Sequence, residues 1–303
     1  MRTPTPQPHF YPLEHLSLIG LQGSDALTFL QGQGTQDYRL LTQSGALPGA
    51  FCTPKGRAVS NVWNVLIEPE PTHIKLVLHS TTAAALQQHL SKYIPFFRGS
   101  KLIDDSLNYH GLGIAGEGTD ELLNDWFGPA ADNGIWLRQG HFAFALPDGR
   151  AQLWLDARAD NYEDWLERIE QQRIEPAEAW QKLDIAAAQP WVQAEQSGQF
   201  VPQMLGLEDV SGISFRKGCY TGQEVVARLH YKGQSKRGLL QVRWQGDVAP
   251  GGNDVFGEQG PAGEWVNWVR TEDGGEGLAV VRNIETPPPM FVDEQRQIAL
   301  SVV

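Results

Sequence analysis

Residues 211–228, SGISFRKGCYTGQEVVAR, contain the side chains of this sequence best suited to chemistry. Gly218 and Gly222 flank Cys219, and glycine permits the backbone conformations that a tight turn requires. If a helix follows the turn, the cysteine lies near the positive end of its dipole, and Lys217 adds a full positive charge. These neighbours predict a free thiol that ionises more readily than an ordinary cysteine.

Start signals and apolar spacing predict the helix after this turn. Thr221 and Glu224 have the spacing of a capping box, in which each side chain satisfies a backbone N–H group. Apolar residues between Val225 and Leu229 share one face, as in an amphipathic helix. The sequence therefore predicts a helix that starts at Gly222, with the thiol just outside its N-terminus.

The same stretch also has a purely structural interpretation. Glycine-rich turns commonly precede helices, Glu224 can serve only as a cap, and free cysteine often behaves as a small buried hydrophobic residue. Ser214 and Lys217 form an S-x-x-K pattern, but the S-D-N and K-T-G motifs of serine acyl-enzymes do not accompany it. The residues alone leave a functional thiol and a structural cysteine as alternatives.

Composition excludes several classes of protein. The chain has 24 basic and 36 acidic residues, a net charge of −12, which argues against direct binding of nucleic acid. No signal-like region opens the sequence and no stretch approaches the roughly 20 apolar residues of a membrane span, so we expect a cytoplasmic protein. The two cysteines are too few for a disulfide framework. The sequence has no Cys/His spacing typical of a metal site, so we expect no bound metal.

The elements that must position the cysteine are two strand–strand–helix units and a region of short strands. The first unit has strand-like runs at 62–67 and 74–78, a turn between them, and a helix that Pro95 stops. The second has strands at 141–146 and 151–156 and a helix from about residue 161. After Tyr231, short strand-like runs separated by Gly, Pro and Asp predict a small antiparallel barrel.

Several motifs together resemble one known family. KGCYTGQE at 217–224, preceded by SGQFVPQ at 197–203, resembles the signature of the YgfZ family of folate-binding, tRNA-modification-associated proteins, which are relatives of the glycine-cleavage T-protein. LQGQGTQD at 30–37 and PKGR at 54–57 extend the match. The resemblance implies an α+β protein of aminomethyltransferase-like fold, a ring of two ferredoxin-like α/β subdomains plus a C-terminal antiparallel β-barrel.

The implied division of the chain follows from the same resemblance. The first α/β subdomain takes residues 1–105 with a returning segment at 176–230, the second takes 106–175, and the barrel takes 231–303. Cys219 is then expected at the mouth of a cleft between the α/β layers and the barrel.

The resemblance also implies a function and a set of site residues. It implies an accessory factor that binds tetrahydrofolate and supports assembly or repair of iron–sulfur enzymes, including tRNA-modifying ones, with those enzymes or their assembly machinery as partners. The residues expected at the reactive centre are Cys219, Lys217 and Glu224. The residues expected to contact folate are Trp180, Gln33, Asp37, Tyr220, Gln223 and Arg228.

Other interpretations stay open beside this one. By their spacing alone, Gly32 and Gly34 indicate only a tight turn after a helix. The resemblance instead favours a substrate-facing loop that ends at Asp37. Trp180, one of ten tryptophans, is by composition a core residue, although the resemblance makes it a folate contact.

Two departures from the T-protein bear on the rival functions. Ser60 and Asn61 stand where the T-protein has an Asp-Asp pair, and Ala186 stands where it has a folate-anchoring glutamate. Neither Ser60 nor Asn61 can act as a carboxylate. One rival is a folate-dependent one-carbon (aminomethyl) transferase, which the replacement at Ser60 and Asn61 opposes, and the other is a non-catalytic protein-interaction scaffold.

Overall fold

The structure is a computed structural model and describes residues 7–68, 72–233 and 235–303. The strands are β1 (His9–Pro12), β2 (Leu16–Gln22), β3 (Ala46–Cys52), β4 (Ala58–Glu68), β5 (His73–His79), β6 (Lys101–Asp104), β7 (Tyr109–Ala115), β8 (Ile135–Arg138), β9 (His141–Ala145), β10 (Ala151–Asp156), β11 (Arg237–Gln245), β12 (Asp254–Gly257), β13 (Gly260–Thr271), β14 (Gly274–Arg282), β15 (Met290–Phe291) and β16 (Ser301–Val302). The α-helices are α1 (Ala26–Gln31), α2 (Leu41–Ser44), α3 (Ala83–Ser91), α4 (Thr119–Phe127), α5 (Tyr162–Glu170), α6 (Ala177–Ala186) and α7 (Gln223–Lys232).

The first sheet is antiparallel and has the order β3-β4-β5-β2-β6. Both of its faces are buried, because the side chains of β4 alternate between two apolar clusters: Trp63 and Val65 enter one, and Val62 and Leu66 enter the other. Leu86 of α3 packs into the second cluster. The predicted hairpin and helix are thus confirmed, while the turn predicted between β4 and β5 includes residues 69–71, which lie outside the described residues.

The second sheet has the order β1-β7-β10-β9-β8, again antiparallel. Helices α4 and α5 cover one face, where Trp126 and Trp165 meet edge to face. Residues 9–12, which the predicted division places in the first subdomain (1–105), form β1 and pair with β7 of the second sheet. Pairing partners so far apart in sequence leave no local signal.

One apolar cluster joins the first two sheets. Trp63 of β4 shares it with Phe142 and Phe144 of β9 and Trp154 of β10, and Trp180 of α6 lies in the same cluster. The two α/β units therefore share this core in addition to the separate clusters that lie beneath their own helices.

The third sheet has the order β15-β12-β13-β14-β11-β16 and curls into a half-barrel. Its central strand β14 is buried on both sides. Ala279 and Val281 face the interior of the half-barrel, while Leu278 and Val280 face a cluster shared with Ile185 and with residues of the 192–213 segment. This segment and α7 connect the α/β units to the half-barrel.

Candidate functional site

The cysteine loop, which we define as residues 216–222, lies against two loops of the first α/β unit. One is the 32–37 loop after α1, and the other is the 53–57 turn between β3 and β4. Gly222 has a φ of +85°, and a Cβ there would come within 2.5 Å of the carbonyl oxygen of Thr53. Only glycine permits this close contact without a shift, so the sequence signal at Gly222 reflects a real packing requirement.

Lys217 is only 7% exposed and holds the cysteine loop against the 32–37 loop. Its Nζ donates hydrogen bonds to the carbonyl oxygens of Gly34, at 2.6 Å, and Gln36, at 2.8 Å. It also lies 4.9 Å from the centroid of the Tyr220 ring. Burial lowers the pKa of Lys217 to about 7, against the opposing attraction of Asp37.

The direction of the Lys217 side chain changes its expected role. The sequence places its charge beside the thiol, but the ammonium group is engaged with the carbonyl groups of the neighbouring loop, while Cys219 is exposed. Lys217 is therefore a positioning residue for the cysteine loop.

A second connection between the loops involves Thr221. Its Oγ1 donates to Oε1 of Gln33 at 3.2 Å, and its backbone N–H donates to the carbonyl oxygen of Gly32. Gln33, which the resemblance predicts as a folate contact, thus lies beside the cysteine loop. Between the anchors at Lys217 and Thr221, the chain exposes Cys219.

The predicted capping box between Thr221 and Glu224 does not form. Helix α7 begins after Gly222, as predicted, but no side chain caps it, because the Thr221 hydroxyl is directed to Gln33. Glu224 is exposed at the first turn. Gln223 closes the turn instead, since its Oε1 accepts the backbone N–H of Tyr220 at 3.2 Å.

Asp37 lies at the end of the 32–37 loop, but its carboxylate is already occupied. It forms a two-point ion pair with Arg39, with distances of 2.8 and 2.5 Å, and accepts a hydrogen bond from Gln31. The Arg39 guanidinium lowers the pKa of Asp37 to about 2. The group is thus an ionised, partnered carboxylate.

The second cysteine lies beneath the same loop. Cys52 ends β3, is fully buried, and has its Cβ against Gly222. Burial raises the pKa of its thiol to about 12. The two cysteines are both free, and they differ sharply in their access to solvent.

Trp180 lies away from these loops, in the core that joins the first two sheets. It is 0% exposed, the Arg150 guanidinium lies 4.4 Å from its ring centroid, and Tyr11 is its aromatic neighbour. No hydrogen bond, ion pair or ring contact within the described ranges links it to Gln33 or Tyr220. The structure brings Gln33, Tyr220 and Gln223 together near Cys219, leaves Arg228 exposed on α7, and places Trp180 elsewhere.

The positions that correspond to the T-protein Asp-Asp pair carry structural hydrogen bonds. Asn61 donates from its Nδ2 to the carbonyl oxygen of Pro190 and accepts from the backbone N–H of Val192, both at 2.8 Å. Ser60 is fully buried against the Thr82 hydroxyl at 2.9 Å. Asn61 therefore connects β4 to the 190–192 segment, and Ser60 connects β4 to Thr82.

A small polar cavity, which we call the central cavity, lies where β2, β5, α6 and β13 meet. It measures about 60 Å³, and its lining includes His15, His79, Asp184, Trp191 and Trp268. Both ring nitrogens of His15 are buried without a hydrogen-bond partner, within the part of the chain that the structure describes, and Nε2 lies 3.9 Å from the carboxylate of Asp184. Burial lowers the pKa of His79 to about 4, so its imidazole is neutral at physiological pH.

The carboxylate at the central cavity comes from Asp184 of α6. Ala186 of the same helix, at the position of the folate-anchoring glutamate of the T-protein, is exposed. Asp184 accepts hydrogen bonds from Arg150 and from the Trp191 indole, both at 2.8 Å. Sequence analysis missed this cluster. His15 and His79 meet because β2 pairs with β5 and places Leu16, the residue after His15, opposite His79. Two histidines so far apart in sequence give no motif.

The polar groups of the central cavity suit a heterocyclic ligand such as a pterin, but the space does not. About 60 Å³ accommodates a few water molecules, whereas a pterin is a two-ring system. The unpartnered His15 nitrogens offer hydrogen bonds, and Trp268, 36% exposed, offers a ring face. The polar groups that line this cavity therefore suit a pterin, whereas its volume is too small to hold one.

Cys219 does not line the central cavity, nor the larger cleft of about 850 Å³ between α7 and the half-barrel. The predicted position of Cys219, at the mouth of a cleft between the α/β layers and the barrel, stays a prediction. Within the described ranges, no group of three His, Cys, Asp or Glu side chains is arranged to hold a metal ion. No described helix combines the length and apolar character needed to cross a bilayer.

Comparison with known proteins gives close relatives along most of the chain. No family model matches it. It is 33% identical over 274 residues to the tRNA-modifying protein YgfZ of Pectobacterium atrosepticum, which covers 86% of this chain and 76% of the relative. It is 34% identical over 277 residues to the protein of the same name from an Enterobacter species, which covers 89% and 80%.

A solved structure gives the fold. Over 98% of this chain and 85% of the other, the molecule resembles the glycine cleavage system aminomethyltransferase T from Bartonella henselae, with a TM-score of 0.76 and 18% identity. This likeness confirms the predicted aminomethyltransferase-like fold.

Proposed function

Because the chain belongs to the YgfZ family of tRNA-modifying proteins, we propose that it is an accessory factor for iron–sulfur enzymes, including tRNA-modifying ones, and that it acts through Cys219. The observation that carries the proposal is the exposure of this sulfur on a loop held from both sides. Lys217 and Thr221 fix the loop to residues 32–36, so the thiol is presented without being packed. A structural cysteine would be buried, as Cys52 is.

Complementation tests this proposal in cells that lack their own YgfZ protein. The wild-type chain is expected to restore the activity of an iron–sulfur tRNA-modifying enzyme, measured as modified nucleosides by mass spectrometry. Cys219→Ala is expected to fail although the protein accumulates normally. Cys52→Ala is the matched control and should restore activity. Full restoration by Cys219→Ala would replace the proposal with that of a scaffold in which the thiol has no role.

The folate part of the proposal is assigned to the central cavity. When bound, tetrahydrofolate would supply a carrier for one-carbon groups. His15 would offer ring nitrogens to the pterin, Trp268 would cover a ring face, and Asp184 would hold Arg150 and Trp191 in place behind them. The fully buried Trp180 would support this wall from the core without contacting the ligand.

A fluorescence titration tests folate binding at this cavity. Tetrahydrofolate is expected to quench tryptophan emission, and Trp268→Phe should remove most of the change. Trp126→Phe, in the core of the second sheet, is the control and should keep it. His15→Ala should weaken binding. The folate assignment is abandoned if millimolar tetrahydrofolate gives neither a calorimetric signal nor a fluorescence change.

A one-carbon transferase is the less favoured alternative. Ser60 and Asn61 stand in place of the carboxylates, and Asn61 uses both ends of its amide to hold the 190–192 segment. A residue committed in this way cannot take up a proton from a substrate amine.

A further inference from the structure

A surface groove lies beside the cysteine loop, and nothing in the proposed function uses it. Its volume is about 510 Å³. Residues from three places line it: Gln36 and Leu40 in and just after the 32–37 loop, the 211–216 segment, and the last turn of α7. The lining residues that matter here are Leu40, Ile213, Phe215, Arg216, His230 and Tyr231, and we call this surface the aromatic groove.

The walls of the aromatic groove are apolar and partly open to solvent. Phe215 stacks on His230, with ring centroids 3.7 Å apart and an angle of 13° between the rings. Tyr231 packs edge-on against both rings and is 67% exposed, and Leu40 is 44% exposed. Large apolar side chains that are exposed together on one surface typically mark an interaction site.

Arg216 is the only arginine or lysine among the described residues that line the aromatic groove, on a chain whose net charge is −12. None of these lining residues is a carboxylate, and the carboxylate that contacts the groove wall, Glu208, is engaged with Nδ1 of His230 at 2.6 Å. Arg216 is exposed and has no ion-pair or hydrogen-bond partner within the described ranges, while nearby Arg39 is neutralised by Asp37. The free guanidinium of Arg216 can bind a carboxylate, and the apolar walls beside it can bind a large apolar group. The groove therefore favours a ligand in which these two groups are adjacent.

These features favour a protein segment over RNA. Binding of a nucleic-acid strand requires several cations along the phosphate backbone, and its affinity falls with each one that is missing. The groove offers Arg216 as its only unpaired arginine or lysine side chain among the described lining residues, on a chain that repels polyanions. Leu40 adds an aliphatic surface that suits an apolar side chain.

We propose that the aromatic groove docks an extended segment of a client protein in which an acidic residue is adjacent to a large apolar residue. This proposal rests on the accessory function proposed above. Arg216 is three residues from Cys219, so their Cα atoms are at most about 11 Å apart along the chain. A segment held in the groove would therefore bring the client close to the exposed thiol.

Fluorescence anisotropy tests the docking with short labelled peptides. The first probe alternates glutamate with phenylalanine and leucine, the second has lysine in place of glutamate, and the third is a labelled oligouridylate. The acidic peptide is expected to bind, and Arg216→Glu and Tyr231→Ser should each weaken it at least tenfold, about 1.4 kcal/mol. Both residues are exposed, so neither variant should unfold the protein.

The controls carry the same substitutions at exposed positions elsewhere. Arg243→Glu on the half-barrel and Phe96→Ser after α3 should leave binding unchanged. Absence of binding, equal binding of the lysine peptide, tighter binding of oligouridylate, or equal binding by the groove variants would each overturn the proposal. Cys219→Ala should bind the peptide normally, so a failure of docking is distinct from a failure of the function assigned to the thiol.

Discussion

At the scale of single residues, replacement of Cys219 by alanine is expected to change the free energy of unfolding by no more than about 0.5 kcal/mol. The side chain is exposed and has no hydrogen bond, ion pair or ring contact in the described part of the chain. Cys52→Ala is the comparison and should cost about 1 kcal/mol, because its thiol is fully buried. Urea unfolding followed by tryptophan fluorescence measures both. A larger loss for Cys219→Ala than for Cys52→Ala would show that the exposed cysteine supports the fold.

Lys217 should make stability depend on pH in a defined window. Its folded pKa is about 7, whereas an unfolded lysine has an ordinary value near 10.4, so between these values only the unfolded state holds the proton. The unfolding free energy of the wild type should therefore rise with pH from about 7 to 10, relative to Lys217→Met. The slope of this difference can reach about 1.4 kcal/mol per pH unit.

Denaturant unfolding of both proteins at several pH values measures this difference. Other titrating groups are common to the two proteins and cancel. A difference that stays constant between pH 7 and 10 would show that Lys217 keeps its ordinary pKa when buried.

The residue types of the candidate site were predictable, but their directions were not. The glycine–cysteine–glycine spacing correctly indicated a tight turn before a helix. The charge of Lys217, however, is directed to the carbonyl groups of Gly34 and Gln36, far back in the sequence. A side chain as long as lysine can reach either neighbour, and only the packed loops decide which one.

At the scale of elements, the start of α7 depends on Gln223 and not on Glu224. Gln223→Ala removes the acceptor of the Tyr220 N–H and should lower the free energy of unfolding by about 0.5–1.5 kcal/mol. Glu224→Ala should be nearly neutral, since that exposed side chain caps nothing. Thermal unfolding followed by circular dichroism compares the two variants. A larger loss for Glu224→Ala would restore the capping box predicted from the sequence.

Asn61 connects two elements, and its replacement should be costly. Asn61→Ala leaves the Val192 N–H and the Pro190 carbonyl without partners and should cost about 1–3 kcal/mol. Asn61→Asp should also destabilise, because a carboxylate cannot donate to the Pro190 carbonyl. Urea unfolding measures both losses. An Asn61→Asp protein of full stability would contradict this structural role.

Local patterns predicted the elements well where one segment determines its own structure. The strands predicted at 141–146 and 151–156 are β9 and β10, and the helix predicted from about residue 161 is α5. The capping box failed for a tertiary reason, since the Thr221 hydroxyl found a partner in Gln33. Competition of this kind is invisible in a segment read alone.

At the scale of the whole molecule, the features that sequence analysis did not predict are those formed by contacts between units. The fold was expected from the resemblance, but the pairing of β1 with the second sheet was not. His15 and His79 likewise meet through long-range pairing. A cavity formed where three units join has no contiguous motif, so sequence analysis found the cysteine loop and missed the central cavity.

The shared cores predict that the units unfold together. Leu278 of β14 is fully buried, not inside the half-barrel but in the cluster shared with Ile185 and Val226. Leu278→Ala should cost about 2–5 kcal/mol and lower the unfolding midpoint of the whole chain. Far-UV circular dichroism and tryptophan fluorescence should shift by the same amount in a single transition, because loss of this contact weakens both sides of the interface. Arg243→Ala, exposed on β11, is the control and should shift neither signal. If the half-barrel were an independent unit, Leu278→Ala would instead produce an early transition in part of the signal and leave the α/β units at their original midpoint.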